Sequence, residues 1–407
     1  MQDRPDRRRL RVVVAGGGVG GLALAQALTA AGIEVSVLER DPSVAARYQG
    51  YRLHISPEGE QALRSCVPSR VAELISATSN ARSGQGLVAY DDQLRDQWAP
   101  SFPDPRADRP DRIDSVDRGT LRHALLAGIE ERVQFGRQVV GHQVAADGTV
   151  TVRLADGGTE TGDVLVAADG ANSPIRESYP DPARPRDLGI RTIFGRVPRT
   201  APVQDEMSGK LRDRFSYLLG TTGSHLGIMP MVFRHPPRPT AARLVPGAEM
   251  PAAEDYYMCV FNVHRADLDV ADDELFAMSG RQLWDVVLRY TSSWHPDVRR
   301  FLGHADPAAS FAVALRAMEP VKAWDHLPVV PLGDAVHTMP PSGGVGANVA
   351  LRDAAALAEA LVRVDRGDQT LADAVAGYQQ VMIEYATEAL AMSLRIAEWS
   401  IPRKAAP

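Results

Sequence analysis

The run Gly16-Gly17-Gly18-Val19-Gly20-Gly21 constrains this chain more than any other feature, because so many adjacent glycines suit neither a helix interior nor a strand interior. Upstream, Leu10 to Ala15 is apolar and β-branched apart from Arg11, as expected of a parallel strand buried on both faces. Downstream, Leu22 to Ala31 is rich in small aliphatic helix formers and ends at Gly32, and Glu34 to Leu38 reads as a second strand. This is one βαβ unit in which Gly16, Gly18 and Gly21 satisfy GxGxxG, with Val19 opening the helix. The first glycine permits a tight turn and the second lets backbone N–H groups approach a pyrophosphate. The third lets the helix pack close to the sheet. Glu39, followed by Arg40, ends the second strand about twenty residues on, where a carboxylate can accept hydrogen bonds from adenosine ribose hydroxyls. A free 2′-OH suits FAD or NAD and disfavours NADP.

A chain of 407 residues exceeds what one hydrophobic core usually organises, so two lobes are expected. The net charge of −6 comes without a basic stripe, which argues against nucleic acid as a partner. Cys66 and Cys259 lie far apart with no ligand spacing, so neither a disulfide framework nor a metal site is expected, and a reducing cytoplasm fits. Arg7-Arg8-Arg9 before an apolar run mimics a secretory signal, but the glycines would weaken its helix, and no stretch approaches a membrane span. No stable membrane insertion is expected.

The fold class expected is α/β: a discontinuous Rossmann-like lobe and a smaller, mostly antiparallel β-sheet lobe, with a long C-terminal helix. The first lobe takes residues 1–75, 112–185 and 327–370, and the second takes 76–111 and 186–326. Residues 371–407 form an amphipathic helix bracing the two. Between Arg82 and Arg112, a Gly-, Pro- and Asp-rich stretch reads as irregular connection or exposed hairpins. Asp117 to Leu126 reads as helix. Val139 to Val144 and Thr149 to Leu154 pair around Asp147-Gly148, and Val164 to Ala168 is a buried strand. Strand-like runs at 190–197, 225–233 and 256–263 make up the second lobe, and 327–332 returns to the first, before a helix over 347–364.

A single glycine fingerprint cannot separate FAD from NAD; three further segments do. The segment Gly162-Asp163-Val164-Leu165-Val166-Ala167-Ala168-Asp169-Gly170-Ala171-Asn172-Ser173-Pro174-Ile175-Arg176 resembles the "DG" motif of the FAD-dependent aromatic hydroxylases, the single-component flavoprotein monooxygenases typified by p-hydroxybenzoate hydroxylase. Gly333-Asp334-Ala335-Val336-His337-Thr338-Met339-Pro340-Pro341-Ser342-Gly343-Gly344-Val345-Gly346-Ala347-Asn348 is similar to their second FAD motif, and Asp117-Arg118-Gly119-Thr120-Leu121 to their RxxL segment. The four matches run in family order from Gly16 to Asn348.

The resemblance implies that Asp334 contacts the ribityl-pyrophosphate region of FAD, and that Asp169 and Arg176 support the pyrophosphate and a passing nicotinamide dinucleotide. It also implies that Arg118 neutralises a phosphate, and that the N–H groups of Gly346, Ala347 and Asn348 meet the flavin N1–C2=O edge. Pro341 and Arg47 are the candidates for the flavin face, without an assigned catalytic base. His337 reads better as a packed residue under the flavin loop than as an acid or base. The implied activity is that of an NADH- or NADPH-consuming monooxygenase that inserts one oxygen atom of O2, through a flavin C4a-hydroperoxide, into a small lipophilic substrate. An aromatic or polycyclic natural product of secondary metabolism, such as antibiotic biosynthesis, fits, with hydroxylation ahead of epoxidation and Baeyer–Villiger oxidation. A flavin-dependent halogenase or reductase and a non-catalytic FAD-binding protein remain as rivals. A halogenase would carry WxWxIP in mid-chain, where only Trp399-Ser400-Ile401-Pro402 hints at it, at the wrong end. Monomer and homodimer are both compatible.

Overall fold

The computed structural model describes residues 9–46, 51–81, 86–99, 108–178, 182–221 and 223–400. The glycine turn sits at the carboxyl edge of a parallel five-stranded sheet, ordered Val329–Pro331, Val164–Ala167, Arg11–Ala15, Glu34–Glu39, Val133–Phe135. Side chains alternate along its strands. Val12, Val14, Val35, Val37, Val164 and Val166 face one core, whereas Val13, Ala15, Leu38, Leu165 and Ala167 face another. Helices cover the first face and a three-stranded antiparallel sheet, Val139–Val144, Val150–Leu154 and Thr159–Gly162, covers the second. With both faces buried, the central strands Arg11–Ala15 (after Arg11) and Val164–Ala167 are continuous apolar runs, whereas Glu34–Glu39, nearer the edge, carries Ser36 and acidic ends.

The helical layer contains Val19–Ala30, Pro57–Cys66, Ser69–Ala77, Arg118–Leu126, Gly346–Arg366 and Leu371–Ser400. The last buries Val375, Tyr378, Met382, Tyr385, Ala386 and Leu390, spaced three and four residues apart as one helix face requires. Among the described residues, no helix is long and apolar enough to cross a membrane.

A second, seven-stranded sheet is ordered Asp306–Ala317, Arg186–Pro198, Tyr256–His264, Ser224–Met231, Phe215–Leu219, Leu87–Asp91, Asp96–Trp98. Its pairs are antiparallel except Phe215–Leu219 with Leu87–Asp91. The stretch expected to be irregular or to form exposed hairpins thus contains a hairpin, 87–91 with 96–98, that extends this sheet by two strands. The helices Asp272–Ala277, Gly280–Tyr290 and Pro296–Gly303, which the strand pattern did not announce, cover one face. There Tyr257, Cys259, Phe261 and Val263 pack on Trp284, Val287 and Phe301. Gly195 admits the Trp284 ring, since a Cβ at 195 would stand 2.0 Å from Trp284 Cζ3. The other face looks toward the parallel-sheet lobe. Ties between the lobes include the Tyr256 hydroxyl to Asp117 Oδ2 at 2.9 Å, the Met318 amide to the Thr338 carbonyl at 2.8 Å, and Arg316 Nη1 to Asn172 Oδ1 at 3.1 Å.

Truncating Trp284 to alanine empties the hollow that Gly195 provides and removes the indole donor to the Leu302 carbonyl. The expected loss is about 4 kcal/mol, read as a lowered urea midpoint for the transition that exposes this sheet.

Candidate functional site

Gly16 adopts φ +112°, and a Cβ there would stand 2.3 Å from the Ala168 carbonyl oxygen; one on Gly21 would stand 2.1 Å from that of Gly16. Any side chain at either position would break the turn. Gly18 differs: it has an ordinary φ of −76° and nothing within 4 Å of an added Cβ. It caps the helix Val19–Ala30, which has no side-chain cap and no acidic residue in its first turn, so its leading N–H groups and dipole face open space. The helix Gly346–Arg366 is likewise uncapped and without an acid in its first turn. Gly20 lets the two helices lie side by side, since a Cβ there would meet Leu332 Cδ2 at 2.6 Å and the Ala350 carbonyl oxygen at 3.1 Å. Two helix N-termini therefore converge on one cleft at the carboxyl edge of the parallel sheet, a setting for an extended anionic ligand.

Acids line that cleft. Glu39 Oε2 accepts from the Gly17 amide at 2.8 Å and from Arg122 Nη2 at 3.0 Å, while Oε1 accepts from the Asp41 amide at 2.9 Å. Oε2 is thereby filled, and Oε1 keeps one lone pair for a further donor. The guanidinium that braces the turn is Arg122, whose Nε also donates to the Gly17 carbonyl at 2.8 Å. It lies one turn beyond Arg118 on the same helix and had gone unnoticed in the sequence. Arg118 is placed elsewhere, with its guanidinium 5.5 Å from the Tyr51 ring centre and its charge acting on Asp334.

At the DG turn, both carboxylate oxygens of Asp169 are buried without a well-formed hydrogen bond. Burial raises its pKa, opposed by the Ser173 hydroxyl, its own amide and that of Ile175, and the Arg176 charge. Arg176 is buried and spends its guanidinium on backbone carbonyls, Ala335 at 2.9 Å and Ala171 at 2.7 Å, clamping the DG turn to the segment after Asp334. Solvent reaches Asp334 although protein closely surrounds it, as at the floor of a cleft. Burial raises its carboxyl pKa against the charges of His337 and Arg118, a shift moderated by the water that reaches it.

Beneath this loop, His337 Nε2 lies 2.6 Å from Asp353 Oδ2, which also accepts from the Gly333 amide at 2.8 Å; Asp353 Oδ1 accepts from the Tyr385 hydroxyl at 2.7 Å. Burial lowers the His337 pKa, but the charge of Asp353 and its hydrogen bond outweigh it and hold the ring above its ordinary value. His337 is thus a packed residue under the loop. Asn348 also works internally: its amide donates to the carbonyls of His54 and Gly344, both at 2.9 Å, and its Oδ1 accepts from the Ser56 amide at 2.9 Å. The backbone of Gly346, Ala347 and Asn348 is left as the face of the helix start. Pro341 is exposed at the loop's tip, and the Ser393 hydroxyl bonds the carbonyls of Pro340 and Ser342 at 2.5 and 3.0 Å. Val19 is buried at the helix start and Arg40 is exposed past Glu39; Arg47 lies outside the described residues.

Facing the cleft, the second sheet presents Phe194, Phe311, Met229, Met231 and Met258, joined by Tyr51 from the first lobe. Tyr51 stacks on Phe194 with centroids 5.3 Å apart, and Phe194 on Phe311 at 5.0 Å. On the same face, the nitrogens of His225 are both buried without a partner, and burial lowers its pKa to about 4. Period-two alternation would have placed His225 on this face; nothing local marked it as unpartnered. Two arginines beside a surface depression of about 400 Å³ are occupied: Arg234 is spent on the carbonyls of Asn80, Pro110 and Arg112, and Arg109 pairs with Asp111 and Glu60. Among the described residues, no His, Cys, Asp and Glu cluster could hold a metal.

His225 supplies a pH signature. Its folded pKa of about 4 lies below the ordinary 6.5, so the unfolded chain binds the extra proton first. Its contribution is intact above pH 6.5 and is lost as pH falls to about 4, for a total of about 3 kcal/mol. Replacing His225 with glutamine is expected to flatten this part of the stability–pH curve, measured by urea titration at half-unit pH steps.

The comparisons with known proteins agree with this geometry. Residues 9–390 match the model of a family described as FAD binding domain. The dual O-methyltransferase/FAD-dependent monooxygenase CTB3 of Cercospora beticola is 29% identical over 396 residues, covering 91% of this chain and 44% of that protein. The chain thus spans less than half the length of that relative. The aurachin C monooxygenase/isomerase of Stigmatella aurantiaca is 26% identical, with 96% of this chain and 89% of that protein covered. Among solved structures, a putative FAD-containing monooxygenase from Photorhabdus luminescens subsp. laumondii superposes with a TM-score of 0.81 at 28% identity, covering 96% of this chain and 98% of that one. The uncapped helix starts, the acids between them and the match over nearly the whole chain lead to one assignment: this chain belongs to the FAD binding domain family, the flavoprotein fold of FAD-dependent monooxygenases and hydroxylases.

Proposed function

We propose that the protein is an FAD-dependent, NAD(P)H-consuming monooxygenase that inserts one oxygen atom from O2 into a lipophilic aromatic or polycyclic substrate, most simply as a hydroxylation. The observation that carries this reading is the convergence of two uncapped helix N-termini on a cleft roofed by an aromatic and methionine sheet face. The residues present fit FAD: Gly18 leaves room for a phosphate, the remaining lone pair of Glu39 Oε1 suits a ribose hydroxyl, and the buried Asp169 carboxylate, which has no well-formed hydrogen bond, has capacity for a donor. Asp334 would hold the ribityl region, and the backbone N–H groups of Gly346, Ala347 and Asn348 would favour negative charge on the ring edge beside them. Bound there, FAD supplies the two-electron chemistry that links a nicotinamide to O2.

The chain's own part is positioning and exclusion. Tyr51, Phe194 and Phe311 offer flat faces to an aromatic ring, and Met229, Met231 and Met258 keep water from it. Arg118, whose guanidinium lies 5.5 Å from the Tyr51 ring centre and whose charge reaches Asp334, would neutralise a phosphate of FAD. The aurachin and CTB3 relatives support a substrate from secondary metabolism. The buried, unpaired thiols of Cys66 and Cys259 suit a reducing compartment, and we place the protein in the cytoplasm.

The first test is the visible spectrum of the purified protein, followed by anaerobic NADH or NADPH and then air. Flavin absorbance that bleaches and recovers supports the reading. Bound flavin that neither nucleotide reduces points to a halogenase reduced by a partner or to a binding protein, and absence of flavin overturns it. A second test separates fold from cofactor. The Cβ of Gly18→Val meets no protein atom within 4 Å, and the change costs the apo fold about 1 kcal/mol as a poorer helix cap. Its flavin content per chain, read from absorbance after reconstitution, is expected to fall at least about tenfold.

A further inference from the structure

The antiparallel register sets Leu219, His225, Asn262, Thr192 and Val313 side by side in one cross-strand row. The neighbouring row on the same face runs Tyr217, Gly227, Val260, Phe194, Phe311 and ends under the Tyr51 stack. An apolar face of this kind needs no histidine, yet His225 is 4% exposed with neither ring nitrogen bonded. A neutral imidazole carries one donor and one acceptor, and leaving both unmet in a buried site opposes folding. Beside it, Asn262 accepts from the Thr192 hydroxyl at 2.7 Å through Oδ1, and its NH2 group has no partner among the described residues. Tyr217 fixes the imidazole plane, its ring lying 6.0 Å from it at 15°. The path from the pair to the Phe194 stack is adaptable: a Cβ on Gly227 would stand 3.0 Å from Met229 Cε, so the thioether lies over Gly227 in the second row. A methionine side chain can rotate aside for a flat ligand.

On the reading of the protein as an aromatic monooxygenase, we propose that His225 and Asn262 recognise a neutral carbonyl or phenolic oxygen on a fused-ring substrate that displaces Met229 and lies against Phe194 and Phe311. Phe194 lies one row, about 7 Å, along the strands and two strands, about 10 Å, across from His225, so a ligand with one polar group at His225 and an apolar body on Phe194 must span about 12 Å, the reach of about three fused rings. A histidine held neutral by burial offers no charge to a carboxylate, which separates this class from small phenolic acids.

The test titrates the flavin-loaded enzyme with 2-anthrol and with 2-methylanthracene, its isostere lacking the hydroxyl, following the flavin difference spectrum. The wild-type protein is expected to bind 2-anthrol about tenfold more tightly. In His225→Phe the preference should fall to about twofold or less at unchanged flavin content, and His225→Gln should restore most of it. Asn262→Ala reads the other half of the pair and should lower the preference severalfold. The proposal is overturned if the wild-type protein fails to discriminate the probes or binds neither, or if the His225→Phe and Asn262→Ala variants that fold keep the full preference. A wild-type protein that bleaches with NAD(P)H but does not discriminate the probes defeats this inference alone, whereas a protein without flavin defeats the functional reading beneath it.

Discussion

The cleft depends on the carboxylate of Asp353, which has no solvent exposure and holds three separate parts of the chain. It takes the Gly333 amide and the His337 ring from the loop after the parallel sheet, and the Tyr385 hydroxyl from the C-terminal helix. A buried carboxylate survives only where its oxygens are occupied, so these groups must stay in place together. Asp353 itself sits on the helix Gly346–Arg366, whose open N-terminus forms half of the cleft. Loop, helix start and C-terminal helix are thereby fixed as one unit. Arg176 extends it by clamping the DG turn to Ala335, so two motifs far apart in sequence share one rigid floor.

The two sheets do different work with the same alternation. In the parallel sheet both faces are buried against protein, so side-chain direction decides only which core a residue joins. In the seven-stranded sheet one face is covered by helices and carries close-packed Trp284, Phe301 and Tyr257. The other carries Met and Phe toward the cleft. Rigid rings pack where the structure must be unique, and unbranched thioethers gather where a ligand has to be accommodated.

The parts most legible in the sequence were those where backbone geometry restricts the residue type. Gly16 and Gly21 have no tolerated alternative, and the strand before them is apolar from Val12 to Ala15, so the βαβ unit could be read directly. The long helices at 346–366 and 371–400 were legible from their apolar spacing. Asp272–Ala277, Gly280–Tyr290 and Pro296–Gly303 were not read, although the second carries a local signal, the Ser279–Gln282 capping box ahead of the apolar face Leu283, Trp284, Val286 and Val287. Arg122, Asp353 and Tyr385 escaped notice for a physical reason. Their importance lies in partners distant in the chain, which no local spacing reveals. Asn348 was singled out together with its neighbours, yet its side chain holds the His54–Ser56 strand end and leaves only its backbone to the cleft.

The Ser393 hydroxyl bridges two carbonyls at the tip of the Pro340–Ser342 loop, and Gly343 packs against Ile396. The loop and the last turns of the C-terminal helix therefore order or fray as a linked pair. By thermodynamic linkage, any ligand that steadies the loop slows hydrogen exchange in the helix, and any loosening of the helix weakens the ligand by the same factor. The occupancy of the cleft can in this way be sensed at the far end of the chain, by residues that never touch what is bound.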